Sequence, residues 1–152
     1  MDAITITIPG QPVAQPRPKI STMGGRGRAY VEKKHPIHAY REAVVLSAIA
    51  AARRARHVVT ECPVVLVIEA VFERPPSHLG KNGTPLPSAR TFPPRSDWDN
   101  LGKGVSDAIT DSGVIWKDDE QVVDGRVRKR YSIGPKDPAR TVVVVREDDG
   151  TT

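Results

Sequence analysis

Asp97 and Asp99 stand one residue apart, where a proline-rich loop gives way to an amphipathic run, and Asp118 and Asp119 follow beyond Gly113. Side chains two apart in extended backbone point to the same side, so the first two carboxylates can converge. Lys103 lies four residues after Asp99, on the same helix face one turn along. If the chain returns beside the helix start, Asp119 or Asp118 reaches the same point. Three carboxylates and an ammonium would then surround one cavity.

Clustered carboxylates repel one another and raise at least one pKa unless a cation joins them. Oxygen-only ligands favour Mg²⁺, with Mn²⁺ as a substitute, over zinc. His35, His38, His57 and His78 have no metal-type spacing beside an acid pair. Such a site suits hydrolysis of a phosphodiester by cation-activated water, with Lys103 facing the charge of the transition state. Each residue also has a plainer reading. Asp97 or Asp99 fits a helix N-cap, Asp118-Asp119 a turn, and Lys103 an ion pair with Asp99 or Asp107.

The elements that must position these side chains are readable around them. Ile4, Ile6 and Ile8 alternate with threonines, a half-buried strand ended by Pro9-Gly10. Gln11 to Tyr30 reads as an irregular basic loop with room for short strand pairing. Pro36 suits the first turn of a helix. Ile37, Tyr40, Val44, Ala48 and Ala52 mark one face of that helix, which reaches Arg56. Pro63 to Phe72 is a nearly unbroken β-branched run, a central strand. Glu73 to Ser96 holds six prolines and two glycines and reads as a mobile loop facing substrate, with plain disorder as an equal alternative. Leu101, Val105, Ala108 and Ile109 define the next helix, ended by Gly113. A short strand over Val114–Trp116, a strand over Gln121–Ile133 and a last strand over Thr141–Arg146 follow, then a polar tail over 147–152. The expected fold is α+β: a single domain over 1–152, with a mixed β-sheet of about four to five strands and two main helices packed on it.

The formal net charge of +5 points to an anionic partner, with nucleic acid the commonest. From Arg17 to Arg56 there are ten Lys or Arg and two acids, whereas Asp97 to Asp124 holds seven Asp and Glu120. Basic flanks around an acidic centre suit phosphate binding around a cation. Arg17, Lys19, Arg26, Arg28 and Lys81 are candidate DNA contacts. So are Arg126, Arg128 and Arg130, which share one strand face. Cys62 is the sole cysteine, which excludes an intrachain disulfide and fits a reducing cytoplasm. The start has no signal-peptide pattern, and no apolar run approaches the ~20 residues of a membrane span.

The stretch Asp97-Trp98-Asp99-Asn100-Leu101-Gly102-Lys103, then Asp107-Ala108-Ile109, then Asp118-Asp119-Glu120-Gln121-Val122 resembles the RusA family of Holliday-junction resolvases. The first strand ending in Ile8-Pro9-Gly10, the Arg17-Pro18 element and the Ser-His loop after the central strand extend the likeness to most of the chain. The resemblance implies a homodimeric, Mg²⁺-dependent endonuclease of phage or prophage type, working in the cytoplasm of a bacterial host. It would nick two opposing strands of a four-way junction symmetrically and use no small-molecule cofactor. It also implies Asp97, Asp99 and Asp119 as catalytic, cation-holding acids, with Asp118 the alternative neighbour, and Lys103 as the essential lysine. Gly102 and Gly104 beside Lys103 depart from a strong helix former and imply a looser helix start. A protein that binds branched DNA without cutting it is the competing reading. No (D/E)-x-K triplet follows Asp97 at a distance suiting the P-D…(D/E)-x-K nucleases, and a cation-dependent transferase is a remote reading of the Asp-x-Asp pair.

Overall fold

A computed structural model describes residues 1–151. Strand β1 (Ile4–Pro9) is followed by a hairpin of β2 (Lys19–Ser21) and β3 (Arg28–Tyr30), helix α1 (Ile37–Ala55) and strand β4 (Val64–Phe72). Helix α2 (Trp98–Ser112) and strands β5 (Val122–Tyr131) and β6 (Arg140–Glu147) complete the chain. The main sheet has the order β1-β6-β4-β5. Only β4 and β5 run parallel, joined through α2; the other two pairings are antiparallel. The expected α+β fold with a four-stranded mixed sheet and two helices is what the chain forms.

Register decides which side chains meet the helices. Ile6 pairs with Val143, Val143 with Ile68, and Ile68 with Val127. One face of the sheet is therefore a continuous branched aliphatic surface. Ile37, Tyr40, Val44, Ala48 and Ala52 of α1 pack on it with Val105, Ala108 and Ile109 of α2. Each fully buried isoleucine contributes roughly 1.5–3 kcal/mol. Tyr40 carries a polar link into this layer: its hydroxyl meets that of Thr141 at 2.7 Å. Burial pushes the phenol up to about 12.

Two local expectations change. Val114–Trp116 is not a strand. It makes a single parallel bridge, Thr60 to Trp116, with Thr60 N–H donating to Ile115 carbonyl at 3.1 Å. Its β-branched character reflects burial, since Ile115 and Trp116 are inaccessible to solvent. The last strand reaches Glu147, one residue into the expected polar tail, because that carboxylate accepts from the Thr60 hydroxyl at 2.5 Å and the terminal amine at 3.2 Å. Residue 152 of that tail lies outside the described residues. The proline-rich stretch 73–96 has structure of its own, a 3-10 turn at Pro76–His78 and a bridge between Leu79 and Pro85.

Candidate active site

Helix α2 carries the first acids because of how it begins. Asp97 occupies the N-cap position with extended backbone, φ −68° and ψ 134°, yet its carboxylate makes no cap bond. It accepts only a long 3.5 Å contact from the Asn100 amide. The Asp99 carboxylate accepts from Asn100 N–H at 2.9 Å. Asp97 is not committed to finishing the helix, and Asp99 meets one first-turn amide with one oxygen, which leaves carboxylate oxygens of both beside its positive end. The N-terminal loop braces this turn, with Gln15 N–H donating to the Asn100 carbonyl at 3.1 Å.

The second acidic element is held far more tightly. Asp118 and Gln121 form a capping box around the 3-10 turn Asp119–Gln121. Gln121 Oε1 accepts from Lys117 N–H at 2.9 Å and Asp118 N–H at 3.1 Å. Its Nε2 donates to the carbonyls of Thr60 and Cys62 at 3.0 and 2.9 Å. One side chain thus ties the acidic turn to the entry of β4 through four hydrogen bonds. In the sequence Gln121 is only an element of the motif, although a glutamine three residues after a helix-capping Asp is a recognised capping pattern.

Asp99, Lys103 and Asp119 come together as lining of one cavity of about 250 Å³, floored by Leu66, Ile68 and Val127 and closed at its edge by Arg126. Asp97 and Asp118 lie outside that lining. Among the described residues no three His, Cys, Asp or Glu side chains stand close enough together to hold an ion. Lys103 Nζ pairs with Asp107 at 3.5 Å, so of its two plain partners it takes Asp107 rather than Asp99. Hydrogen bonding with Asp118 raises the Asp119 pKa above the ordinary carboxylate value; burial, Asp118's charge and Asp107 add to this, and Lys103 opposes it. Asp107, absent from the catalytic set expected from the sequence, therefore belongs to this neighbourhood. Its signal was its place one turn after Lys103.

Of the two glycines beside Lys103, Gly102 marks close packing and Gly104 does not. A Cβ on Gly102 would stand 2.9 Å from Val127 Cγ2, closer than side chains tolerate, whereas one on Gly104 would sit 3.6 Å from Gln15. Gly102 lets α2 lie down on β5, and this sets the depth of Lys103 in the cavity.

The donor set suits a hard divalent cation. Asp99 and Asp119 offer carboxylate oxygens from two walls of one cavity, no histidine or thiol lines it, and Asp119 is crowded by like charge. Residues 9–146 match the family described as endodeoxyribonuclease RusA. The chain belongs to the RusA endodeoxyribonuclease family. The chain is also 32% identical over 155 residues to the uncharacterized protein YqaN of Bacillus subtilis (strain 168), covering 97% of this chain and 98% of that protein. RusA membership makes this a nuclease-family fold, and the cavity lined by Asp99, Lys103 and Asp119 lies within the matched residues.

The basic candidates divide sharply. In β5, Gly125 and Val127 face α2 with the buried positions of β4, so Arg126, Arg128 and Arg130 start from the opposite face. Arg126 pairs with Asp124 at 2.9 Å and still reaches the cavity edge. Arg130 is spent on Asp137 and Glu69 at 2.6 and 3.3 Å, while Arg128 is exposed and makes no ion pair among the described residues. On the hairpin side, Lys19 pairs with Glu32. Arg17, Arg26, Arg28 and Lys81 are exposed and have no acid within ion-pair range among the described residues. No helix is long and apolar enough to cross a membrane.

Proposed function

We propose that this RusA-family chain is a Mg²⁺-dependent, structure-selective endonuclease that resolves four-way DNA junctions, acting as a homodimer that makes paired symmetric nicks. One observation carries the reading: Asp99, Lys103 and Asp119, from two separate elements, line a single cavity within the residues that match the family. Asp99 and Asp119 would hold the cation, with Asp97 joining from the helix start and Asp118 as the alternative partner. A divalent cation bound there polarises a phosphate oxygen and lowers the pKa of water.

The protein's own residues do the rest. Lys103 is a compact charge that meets negative charge building on the phosphate. Asp107 fixes the lysine's direction through their 3.5 Å pair. Leu66, Ile68 and Val127 exclude bulk water from the floor, which strengthens each of these interactions. Arg17, Arg26, Arg28, Lys81 and Arg128, with Lys19 and Arg126 in weaker positions, would bind backbone phosphates without reading sequence. Arg130 has least to offer DNA, since its charge is already matched. A two-fold dimer presents equal sites to two strands.

The test is a synthetic four-way junction incubated with protein and Mg²⁺ or Mn²⁺, products being read on a denaturing gel. Paired nicks at symmetric positions in opposing strands, abolished by chelation, are expected. Retarded but uncut junction under all cation conditions would instead establish the binding-only alternative. Sedimentation of the free protein at twice the monomer mass of 16.6 kDa checks the dimer.

A further inference from the structure

A second cavity lies beside the first, at the other side of the α2 start. It has a volume of about 520 Å³ and sits between the carboxyl ends of β4 and β5 and the proline-rich loop. That volume falls within the range of small-molecule sites, roughly 300–1,000 Å³. Phe72, Tyr131 and the Pro93-Pro94 pair give it apolar walls, and Arg90, Arg95 and His78 give it basic ones. Neither Arg90 nor Arg95 has an acid within ion-pair range among the described residues.

The walls are built rather than casual. Arg74 lies over the Tyr131 ring at 4.4 Å and donates to the Arg90 carbonyl at 2.8 Å. His78 meets the same ring edge-on at 5.8 Å. Lys129 fixes the Ser96 carbonyl at 2.5 Å. Yet the loop is not satisfied by its own contacts: His78 Nδ1 and Arg74 Nε are buried with no hydrogen-bond partner, a state that folded proteins rarely leave unexplained.

We propose that this cavity is a subsite for one unstacked nucleotide of the cleaved strand, its base against Phe72 and Tyr131 and its phosphate against Arg90 and Arg95. Glu73, also in the lining, is an acceptor for an exocyclic amine. The proposal rests on the nuclease reading and deepens it. Ser96 borders this cavity and Asp99 borders the first. Three residues of chain separate them, at most about 10 Å of extended backbone. That is the scale of one or two nucleotide steps, since unstacked neighbours stand farther apart than the ~3.4 Å axial rise of duplex DNA. A scissile phosphate in one cavity therefore leaves a neighbouring nucleotide at the mouth of the other. Phe72 and Tyr131 also pack in one cluster with Leu101 of α2, so an occupant bears on the helix that carries Asp99 and Lys103. Junctions supply unstacked nucleotides at low cost, which favours branched over plain duplex DNA.

The experiment uses the full-length protein and a four-way junction whose cut position has first been mapped. Single-turnover cleavage is measured for wild type, Arg90→Ala and His78→Ala, on intact junctions and on junctions with an abasic residue at each nucleotide flanking the cut. One abasic position should slow wild type by about tenfold, the lower range for losing a base–aromatic stack. Each variant should be slowed similarly on the intact junction. The His78→Ala and abasic lesions together should cost no more than about twofold beyond either alone, since both weaken the wall the base rests on, whereas Arg90→Ala removes a contact to a phosphate that an abasic residue keeps, and its effect should multiply with the abasic loss. Variants that cut the intact junction at the wild-type rate, or a His78→Ala effect that multiplies with the abasic loss, overturn the subsite. Should wild type bind but not cut, the nuclease reading fails separately. The same variants and abasic junctions then decide the subsite by affinity, with the same shared loss expected for His78→Ala and independent losses there overturning it.

Discussion

Asp119 and Asp137 are carboxylates in opposite surroundings. Asp137 is nearly buried and accepts from Arg130 and Arg140, each at 2.6 Å, and from Ile133 N–H at 2.9 Å. Those donors, Arg130 first, hold its pKa well below the usual carboxylate range. Asp119 lies on a cavity wall with Asp118 and Asp107 as its acidic company, and its pKa moves the other way. One negative charge is fully matched within the fold; the other is left in conflict. A charge in conflict costs stability and persists where it serves something outside the chain. The contrast supports an architectural role for Asp137 and the chemical role proposed for Asp119, and each can be broken.

The largest effect should come from Asp119→Asn. Cleavage of a junction should fall by at least 10²–10³-fold, roughly the cost of losing one preorganised electrostatic group in an active site. The melting temperature should hold or rise, since a repelled charge is removed. Asp99→Asn should behave alike. Single-turnover rates and thermal melts on the same samples decide the matter, and a full-rate Asp99→Asn or Asp119→Asn protein would sink the site.

Gln121→Ala attacks the bracket rather than the charge. It strips partners from the Thr60 and Cys62 carbonyls and from the Lys117 and Asp118 amides. Leaving such groups unpaired costs about 1–3 kcal/mol, or several degrees in melting temperature at about 2–4 °C per kcal/mol for this chain size. Cleavage should drop by about tenfold or more, because a loosened turn misplaces Asp119. An unchanged rate in a destabilised protein would mean that the turn needs no bracket to act.

The two regions differ equally in how far the sequence exposes them. Both helices, the central strand and α2's boundary at Gly113 follow from apolar periodicity and glycine placement, because those patterns are local. The meeting of Asp99 and Lys103 with Asp119 also rests on local cues, a helix start and a capped turn, once the parallel crossover brings them to one cavity. Asp137 left no such trace. Its partner Arg130, on β5, also pairs with Glu69 on β4, and only the register of β4 with β5 places those two together. Arg130 was for that reason grouped with the DNA-facing cations. Gly102 is a parallel case: propensity reads it as a weak point of the helix, and only the packing interface shows that a Cβ there would meet Val127.

Gly102 and Gly104 therefore form a matched pair. Gly102→Ala should force α2 or Val127 aside at a cost of about 1–3 kcal/mol and lower the cleavage rate by shifting Lys103. Gly104→Ala meets only ordinary contact at Gln15 and should gain about 0.5–1 kcal/mol of helix stability. Chemical denaturation of both variants checks the sign, and Val127→Ala should relieve Gly102→Ala but not improve wild type. Equal effects at the two positions would mean that propensity, not packing, governs this helix.

The smallest effect is the most direct measure of the opening contrast. The folded pKa of Asp137 lies below its unfolded value of about 3.9. Its stabilisation is therefore complete above that unfolded value and is lost as pH falls through the lower folded one. Wild type should lose melting temperature steadily below about pH 4, and Asp137→Asn should start lower at pH 7 but fall less over the same acid range. Asp119→Asn should not flatten that limb, because Asp119 lacks the arginine partners that make acid costly at Asp137. Thermal melts of the three proteins from neutral to acid pH separate the cases. If Asp119→Asn flattens the acid limb and Asp137→Asn does not, the two carboxylates have been assigned to the wrong roles.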